Sequence, residues 1–209
     1  VRNLAVRNLD LLQARRDGLP EEATRRLADS MLARRGEIER RTRDASNISH
    51  GGLAIRCHGD YHLGQVLVTE DDFVILDFEG EPARSLVERR RKRSPLADVA
   101  GMLRSFHYAM AAVVRERLAA AESDEQRAVL EAWGHRWWSA AQQAFLDAYE
   151  AAVAAARLLP PREQARTLLA VYVLEKALYE IGYELNNRPQ QVVIPLEGLR
   201  SLLDAEPTS

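Results

Sequence analysis

Two aspartates that are well placed for chemistry, Asp60 and Asp77, each follow a short apolar segment. Asp60 lies in a glycine-containing loop after the segment Leu53–His58, and Asp77 comes directly after the apolar residues Phe73–Leu76. Such a pair suits phosphoryl transfer, which needs one group to orient or deprotonate the incoming hydroxyl and a second carboxylate to hold Mg²⁺ on the phosphates. Gln65 offers a neutral oxygen that could complete the metal shell.

The elements that must position these residues are short strands. Runs of apolar residues predict strands at Leu53–His58, Gln65–Val68 and Phe73–Phe78. The acidic residues Glu70–Asp72, between the last two strands, are typical of a hairpin turn. The returning strand of this hairpin is expected to bring Asp77 towards the loop that carries the first aspartate.

Most of the remaining sequence has apolar residues at helical spacing. Two amphipathic helices are predicted between Leu4 and Arg43, with a break at Gly18–Pro20. Further helices are predicted at Leu96–Leu118, Glu125–Ala156 and Arg162–Asn187, with a short one after Pro195. The pattern predicts a fold that is mainly α with a small β-hairpin.

Composition narrows the classes of function. Hydrophobic residues make up 46% and charged residues 29% of the 209 residues, which is ordinary for a globular protein. The net charge of −2 gives no basic surface for nucleic acid or for an acidic membrane. No apolar run is long enough to span a bilayer. Cys57 is the only cysteine, so no internal disulfide is possible and a reducing, cytoplasmic setting is expected.

Three ordered blocks of sequence carry a family resemblance. The motif His58-Gly59-Asp60-x-His62-x-x-Gln65, followed by Ile75–Pro82, resembles the aminoglycoside-phosphotransferase and choline-kinase branch of the protein-kinase-like fold. Within that branch the chain is similar to bacterial maltokinases, which make maltose 1-phosphate from maltose and ATP. The blocks that support this are Arg56–Leu67, Ser94–Phe106, and Leu174–Glu180 with Tyr183–Pro189.

The resemblance implies a role for each matching residue. Asp60 is implied to be the catalytic base, with His58 bracing its loop, and Gln65 and Asp77 are implied to be the Mg²⁺ ligands. The broader branch usually has asparagine at the position of Gln65, which is longer by one methylene. Glu79 and Glu81 lie just past Asp77, where a carboxylate could accept hydrogen bonds from sugar hydroxyls. The resemblance also implies a structural role for Asp98, in capping its helix and tying it to the catalytic loop.

The predicted helix Arg162–Asn187 carries two stripes of residues. One is an apolar core stripe: Val171, Leu174, Leu178, Ile181 and Leu185. The other contains Tyr172, Glu175, Tyr179 and Tyr183, with Lys176 adjacent, and these rings and charges suit a polyhydroxylated ligand. The alternative for this second stripe is an ordinary amphipathic flank with half-exposed tyrosines.

Together these features predict the C-terminal lobe of a protein-kinase-like fold. Residues 1–49 are expected to be leading helices, 50–83 the catalytic loop and metal-binding hairpin, and 95–209 a helical acceptor-binding subdomain. Nothing before His58 resembles a glycine-rich loop or its lysine, so we expect the N-terminal ATP-gripping lobe to be absent and the fragment alone to be inactive. The expected activity of the full-length parent is ATP- and Mg²⁺-dependent phosphorylation of maltose, which belongs to glycogen biosynthesis. A trehalose-metabolising enzyme or fused domain is a further expected partner.

Other interpretations stay open at this stage. A non-catalytic binding or docking module is one alternative for a lobe without ATP-gripping parts, although such a scaffold would not need Asp60 and Asp77. Kinase chemistry with an aminoglycoside or amino-alcohol acceptor is another alternative. The pattern His58-x-Asp60-x-His62 also occurs in metal hydrolases, but the remaining histidines show no metal-like pairing.

Overall fold

The computed structural model describes residues 2–43, 52–81 and 85–205. Contacts group them into two compact units. The first unit contains the described residues between 1 and 49 together with those between 170 and 205, and the second contains those between 52 and 169. Pro82, which ends the second sequence motif, lies outside the described residues. The predicted division into three functional segments stays a prediction.

The first unit is helical. It contains α1 (Arg2–Arg15), α2 (Glu22–Ala33), α3 (Arg35–Arg41), the greater part of α7 (Arg162–Asn187) and α8 (Val193–Asp204). The predicted break near Gly18 is confirmed, because a 3₁₀ turn at Arg16–Gly18 follows α1. A second break was not predicted. Arg34 leaves helical geometry, with φ −91° and ψ 11°, and its guanidinium pairs with Glu37 and Asp204.

A single hydrophobic core holds the first unit together. It joins leucines of α1, Met31 of α2 and Ile38 of α3 to residues of α7 and α8. The predicted core stripe of α7 is confirmed, since each of its five apolar residues is at most 4% exposed. The last helix begins at Val193, before Pro195, which is an error of the sequence prediction. Proline is tolerated there because the first turn of a helix has no internal partners for its backbone N–H groups.

The second unit carries the predicted hairpin. Strand β1 (Val66–Val68) pairs antiparallel with β2 (Phe73–Ile75), with Val66 opposite Ile75. The turn is closed by Thr69, whose N–H and hydroxyl both donate to the carbonyl of Asp72 at 2.9 Å. The helices of this unit are α4 (Leu86–Arg89), α5 (Leu96–Ala119), α6 (Asp124–Val153) and the first turns of α7. The described residues are therefore mostly helical with one small antiparallel sheet, as predicted.

One predicted strand, Leu53–His58, is wrong. Only Ile55 pairs in β fashion, through an isolated bridge to Arg93. The backbone N–H groups of His58 and Gly59 instead donate to a carboxylate on α5, so they are not available to a sheet. Short apolar runs predict strands, but they cannot show that a side chain will take the backbone donors.

One helix boundary and one short helix also differ from the prediction. The helix predicted to reach Ala156 ends at Val153 and continues as a 3₁₀ turn. The short helix α4 was not predicted, although Ser85 and Glu88 form a capping box at its start and are a recognisable signal. Among the described residues, no helix is both long and apolar enough to cross a membrane.

Candidate active site

Asp98 anchors the predicted catalytic loop to the first turn of α5. Its Oδ2 accepts a hydrogen bond from the N–H of His58 at 2.6 Å, and its Oδ1 accepts one from the N–H of Gly59 at 2.9 Å. The predicted tie between helix and loop is therefore confirmed. The predicted capping role is wrong, because α5 has no side-chain cap at its start and both carboxylate oxygens of Asp98 face the loop.

His58 links the catalytic loop to the strand that precedes Asp77. The backbone N–H of Asp60 donates to Nδ1 of His58 at 3.3 Å, so Nδ1 is the acceptor nitrogen of the ring. Nε2 therefore carries the proton and donates to the carbonyl of Leu76 at 2.6 Å. The ring is 6% exposed and also contacts Phe78, at 4.9 Å between centroids. The buried imidazole thus links the backbone of Asp60 to the backbone of Leu76, the residue before Asp77.

Gly59 allows the two loops of the site to approach one another. Its φ of +88° lies in a region that side chains disfavour. A Cβ added at this position would lie 3.3 Å from Cα of Gly80, in the segment that follows Asp77. A side chain at Gly59 would therefore require the segment after Asp77 to shift by a few tenths of an ångström.

Gln65 and Asp77, the predicted metal ligands, lie side by side. The pairing of the hairpin extends one step beyond the strands, because the N–H of Leu76 donates to the carbonyl of Gln65 at 2.9 Å. Asp77 then adopts a φ of 59°, which turns the chain away from the sheet. As a result, Nε2 of Gln65 donates to Oδ2 of Asp77 at 3.3 Å.

The oxygen donors of this pair fit Mg²⁺ that arrives with a nucleotide. Mg²⁺ is usually held by one or two carboxylates, with phosphates and waters supplying the other ligands. Asp77 provides the carboxylate. Gln65 would coordinate through its amide oxygen, which requires the amide to turn because its nitrogen now faces Asp77. Across residues 2–43, 52–81 and 85–205, no cluster of three or more histidine, cysteine or acidic residues could hold an ion.

His62 is a neighbour of Asp60 to which the kinase interpretation of the sequence gave no role. Its Nδ1 accepts the N–H of Gly64 at 3.0 Å, and its Nε2 lies 3.9 Å from Oδ2 of Asp60. The side chain of Asp60 is 20% exposed, so it is sheltered but reachable. The metal-hydrolase alternative does not fit this geometry, because both ring nitrogens of His58 are already occupied by backbone atoms.

Two further groups beside the loop have altered acidity. Burial raises the pKa of the Cys57 thiol to about 11, and the Asp98 carboxylate adds to the effect. Burial, followed by the same carboxylate, also raises the pKa of Tyr61. Both side chains therefore stay protonated at neutral pH, and Cys57 is not a nucleophile.

The six predicted sugar-binding residues fall into two groups. Glu79 is exposed in the turn after Asp77, whereas Glu81 is 9% exposed and engaged in contacts within the protein. The other four residues, Tyr172, Glu175, Lys176 and Tyr179, are partly buried on α7 in the first unit. Among them, Nζ of Lys176 lies 4.9 Å from the ring centroid of Tyr179. Their contact with a sugar stays a prediction.

The fold is shared with part of a class of sugar kinases. A solved structure of glucosamine kinase, crystal form A, superposes on 97% of this chain with a TM-score of 0.73 at 24% identity, and the match covers 44% of that protein. A second, glucosamine kinase in complex with glucosamine, ADP and inorganic phosphate, matches 95% of this chain with a TM-score of 0.72 at 24% identity and is covered over 46% of its length. The described residues thus form part of a kinase-type fold.

Sequence relatives point to the same class. The chain is 30% identical over 153 residues to glucosamine kinase of Streptacidiphilus jiangxiensis, covering 73% of this chain and 32% of that protein. It is 31% identical over 177 residues to glucosamine kinase of Mycolicibacterium smegmatis, covering 83% of this chain and 40% of that protein. The chain therefore spans less than half the length of these curated relatives. No protein-family model matches the sequence.

These matches support a kinase, as predicted from the motifs, and the relatives are kinases of a sugar. They do not support maltose as the acceptor, so the narrower prediction of a maltokinase stays a prediction.

Proposed function

We propose that this chain supplies the catalytic loop and the metal-binding strand of an ATP-dependent sugar kinase. The observation that carries the proposal is the buried imidazole of His58, which bonds to the backbone of Asp60 on one side and of Leu76, next to Asp77, on the other. Such a link suits a pair of carboxylates that must act on one phosphoryl group. The names and the fold of the relatives support the same class.

In this proposal Asp60 orients the acceptor hydroxyl and takes its proton. The loop leaves the carboxylate of Asp60 only partly exposed, and Asp98 holds the loop by accepting a hydrogen bond from its backbone. Asp77 and Gln65 hold the metal, whose contribution is to neutralise charge on the phosphates. His58 keeps the two loops in register through uncharged hydrogen bonds.

The acceptor in this proposal is a sugar, with two candidates. The names of the relatives favour glucosamine, whereas maltose rests on the resemblance of the sequence motifs to maltokinases. Glu79 is an exposed carboxylate near Asp77, which suits either a hydroxyl or the amino group of an amino sugar. The contacts of the α7 residues with the acceptor, a trehalose-metabolising partner or fused domain, and a cytoplasmic location stay predictions.

The test is the Asp60→Asn variant of the complete gene product that contains this chain. ADP formation is measured with glucosamine and with maltose. We expect turnover to fall by at least about a hundredfold while the KM for the sugar changes little, because asparagine keeps the shape but cannot accept the proton. Asp71→Asn, the same change in the exposed hairpin turn, is the control and should leave turnover unaltered.

Two results would contradict the proposal. If neither sugar stimulates ADP formation by the wild-type product, the acceptor class is wrong. If Asp60→Asn turns over like wild type, the assigned base is wrong. Sugar binding without any turnover would instead favour the non-catalytic binding module.

A further inference from the structure

A cavity of about 430 Å³ lies between α5 and α6 in the second unit. This volume falls within the range that is typical of sites for small ligands. The surface of the lining is almost entirely apolar, and Arg117 is the one charged residue among the lining residues. None of the lining residues belongs to the candidate active site, so the cavity needs its own explanation.

A glycine brings the two helices together at this cavity. A Cβ added to Gly134 of α6 would lie 2.6 Å from Cγ2 of Val114 and 3.2 Å from Sδ of Met110, both on α5. A larger residue fits at that point only if the side chains of Val114 and Met110 move. The contact between α5 and α6 at Gly134 therefore forms one wall of the cavity.

The mouth of the cavity exposes large apolar side chains. Trp133 is 64% exposed, Trp137 is 50% exposed, and Val113, opposite them on α5, is 57% exposed. Trp137 is held in place by an edge-on contact with Phe106, at 6.4 Å between ring centroids. Apolar side chains that surround a concave site mark binding surfaces more often than isolated exposed residues do.

Two arginines lie at the mouth of the cavity. Arg117 lines the cavity, and the guanidinium of Arg136 lies 5.9 Å from the ring centroid of Trp133. Within the part of the chain that the structure describes, neither guanidinium has an ion-pair partner. A sugar would not be well bound here, because its hydroxyl groups need several polar partners and the lining offers only one.

We propose that this cavity binds an amphipathic organic anion, with the apolar body between α5 and α6 and the anionic group on Arg117. A medium-chain carboxylate has this chemistry. The apolar lining provides the favourable burial, and the unpaired guanidinium selects the charge. This site is independent of the proposed phosphoryl transfer.

The test is a titration of the 209-residue chain with decanoate, followed by tryptophan fluorescence. Trp133 and Trp137 line the cavity, so we expect a saturable change in their emission. Arg117→Gln should weaken decanoate binding by about tenfold, because a charge-assisted hydrogen bond is lost. Arg166→Gln, the same change at an exposed residue of α7 that does not line the cavity, should not alter it.

Two further arms make the result decisive. Decanol, which lacks the charge, should bind equally to wild type and Arg117→Gln. Ala109→Phe, which fills the cavity, should abolish binding of both ligands, with urea unfolding used to confirm that this variant is folded. The proposal is overturned if decanoate does not bind, if it binds Arg117→Gln as well as wild type, or if folded Ala109→Phe retains binding.

Discussion

The buried imidazole of His107, on α5, predicts how the stability of the second unit depends on pH. The residue is 4% exposed, and its Nδ1 has no hydrogen-bond partner among the described residues. Burial lowers its pKa to about 3, and the nearby charges of Arg104 and His135 add to the effect. In the unfolded chain the same imidazole titrates near about 6.5. As the pH falls below that value, the unfolded state binds a proton that the folded state does not bind.

The size of the effect follows from this difference in proton binding. Between the two pKa values, the free energy of unfolding falls by about 1.4 kcal/mol for each pH unit of acidification. At about pH 5 the loss from His107 alone is about 2 kcal/mol relative to neutral pH. His107→Phe removes the titrating group but keeps a ring beside Trp138, which the imidazole contacts edge-on at 5.2 Å between centroids. The variant should therefore lose less stability on acidification than wild type by about that amount.

The measurement is urea unfolding followed by tryptophan fluorescence at about pH 7.5 and about pH 5. The chain has three tryptophans, all on α6, so the signal reports on the second unit. Leu103→Met, a change of similar volume at a buried position of α5, is the control for repacking and should keep the pH dependence of wild type. An equal loss of stability in wild type and His107→Phe would mean that the imidazole is protonated in the folded protein, and the reasoning would fail.

Two further predictions concern the catalytic loop. Gly101→Ala should impair turnover of the complete gene product, because a Cβ there would lie 2.5 Å from the carbonyl oxygen of Tyr61, next to Asp60. The control Gly18→Ala, whose Cβ meets nothing within 4 Å, should leave turnover unchanged. A fully active Gly101→Ala enzyme would contradict the prediction. Cys57, the only thiol, should react with iodoacetamide about a hundredfold more slowly in the folded than in the urea-unfolded chain near pH 8, since its pKa of about 11 is two units above the ordinary value. Mass spectrometry of the alkylated chain measures this, and equal rates would show that the thiol is not sheltered.

The sequence predicts those features that depend on the spacing of apolar residues within a single helix or strand. The core stripe of α7 has apolar residues at steps of three and four, and burial follows from that spacing. The hairpin was predictable for a similar reason, since two apolar runs flank an acidic turn. The motif around Asp60 also indicated which residues come together, and the structure places Gln65 beside Asp77.

Features that depend on contacts distant in sequence were not predictable. The apolar run Leu53–His58 looks like a strand, but its last backbone donor is bound by Asp98, 40 residues further along the chain. Gly134 gives only a weak local signal within α6, and its meaning emerges from Val114 on the opposite helix. The depressed pKa of His107 likewise depends on burial, which spacing alone does not measure.

The framework of the candidate site separates the residues that would do chemistry from those that hold them. Asp98 and His58 contact the loops mainly through backbone atoms, so the side chains of Asp60 and Asp77 are not required for the loops to meet. Replacing either of those aspartates should therefore change the chemistry and leave the backbone in place. Replacing Asp98 removes the acceptor of two backbone N–H groups, and each donor left without a partner costs about 1–3 kcal/mol where it is buried. We therefore expect variants of Asp60 or Asp77 to lose activity while the fold stays intact. A variant of Asp98 should instead lose activity because the loop is displaced.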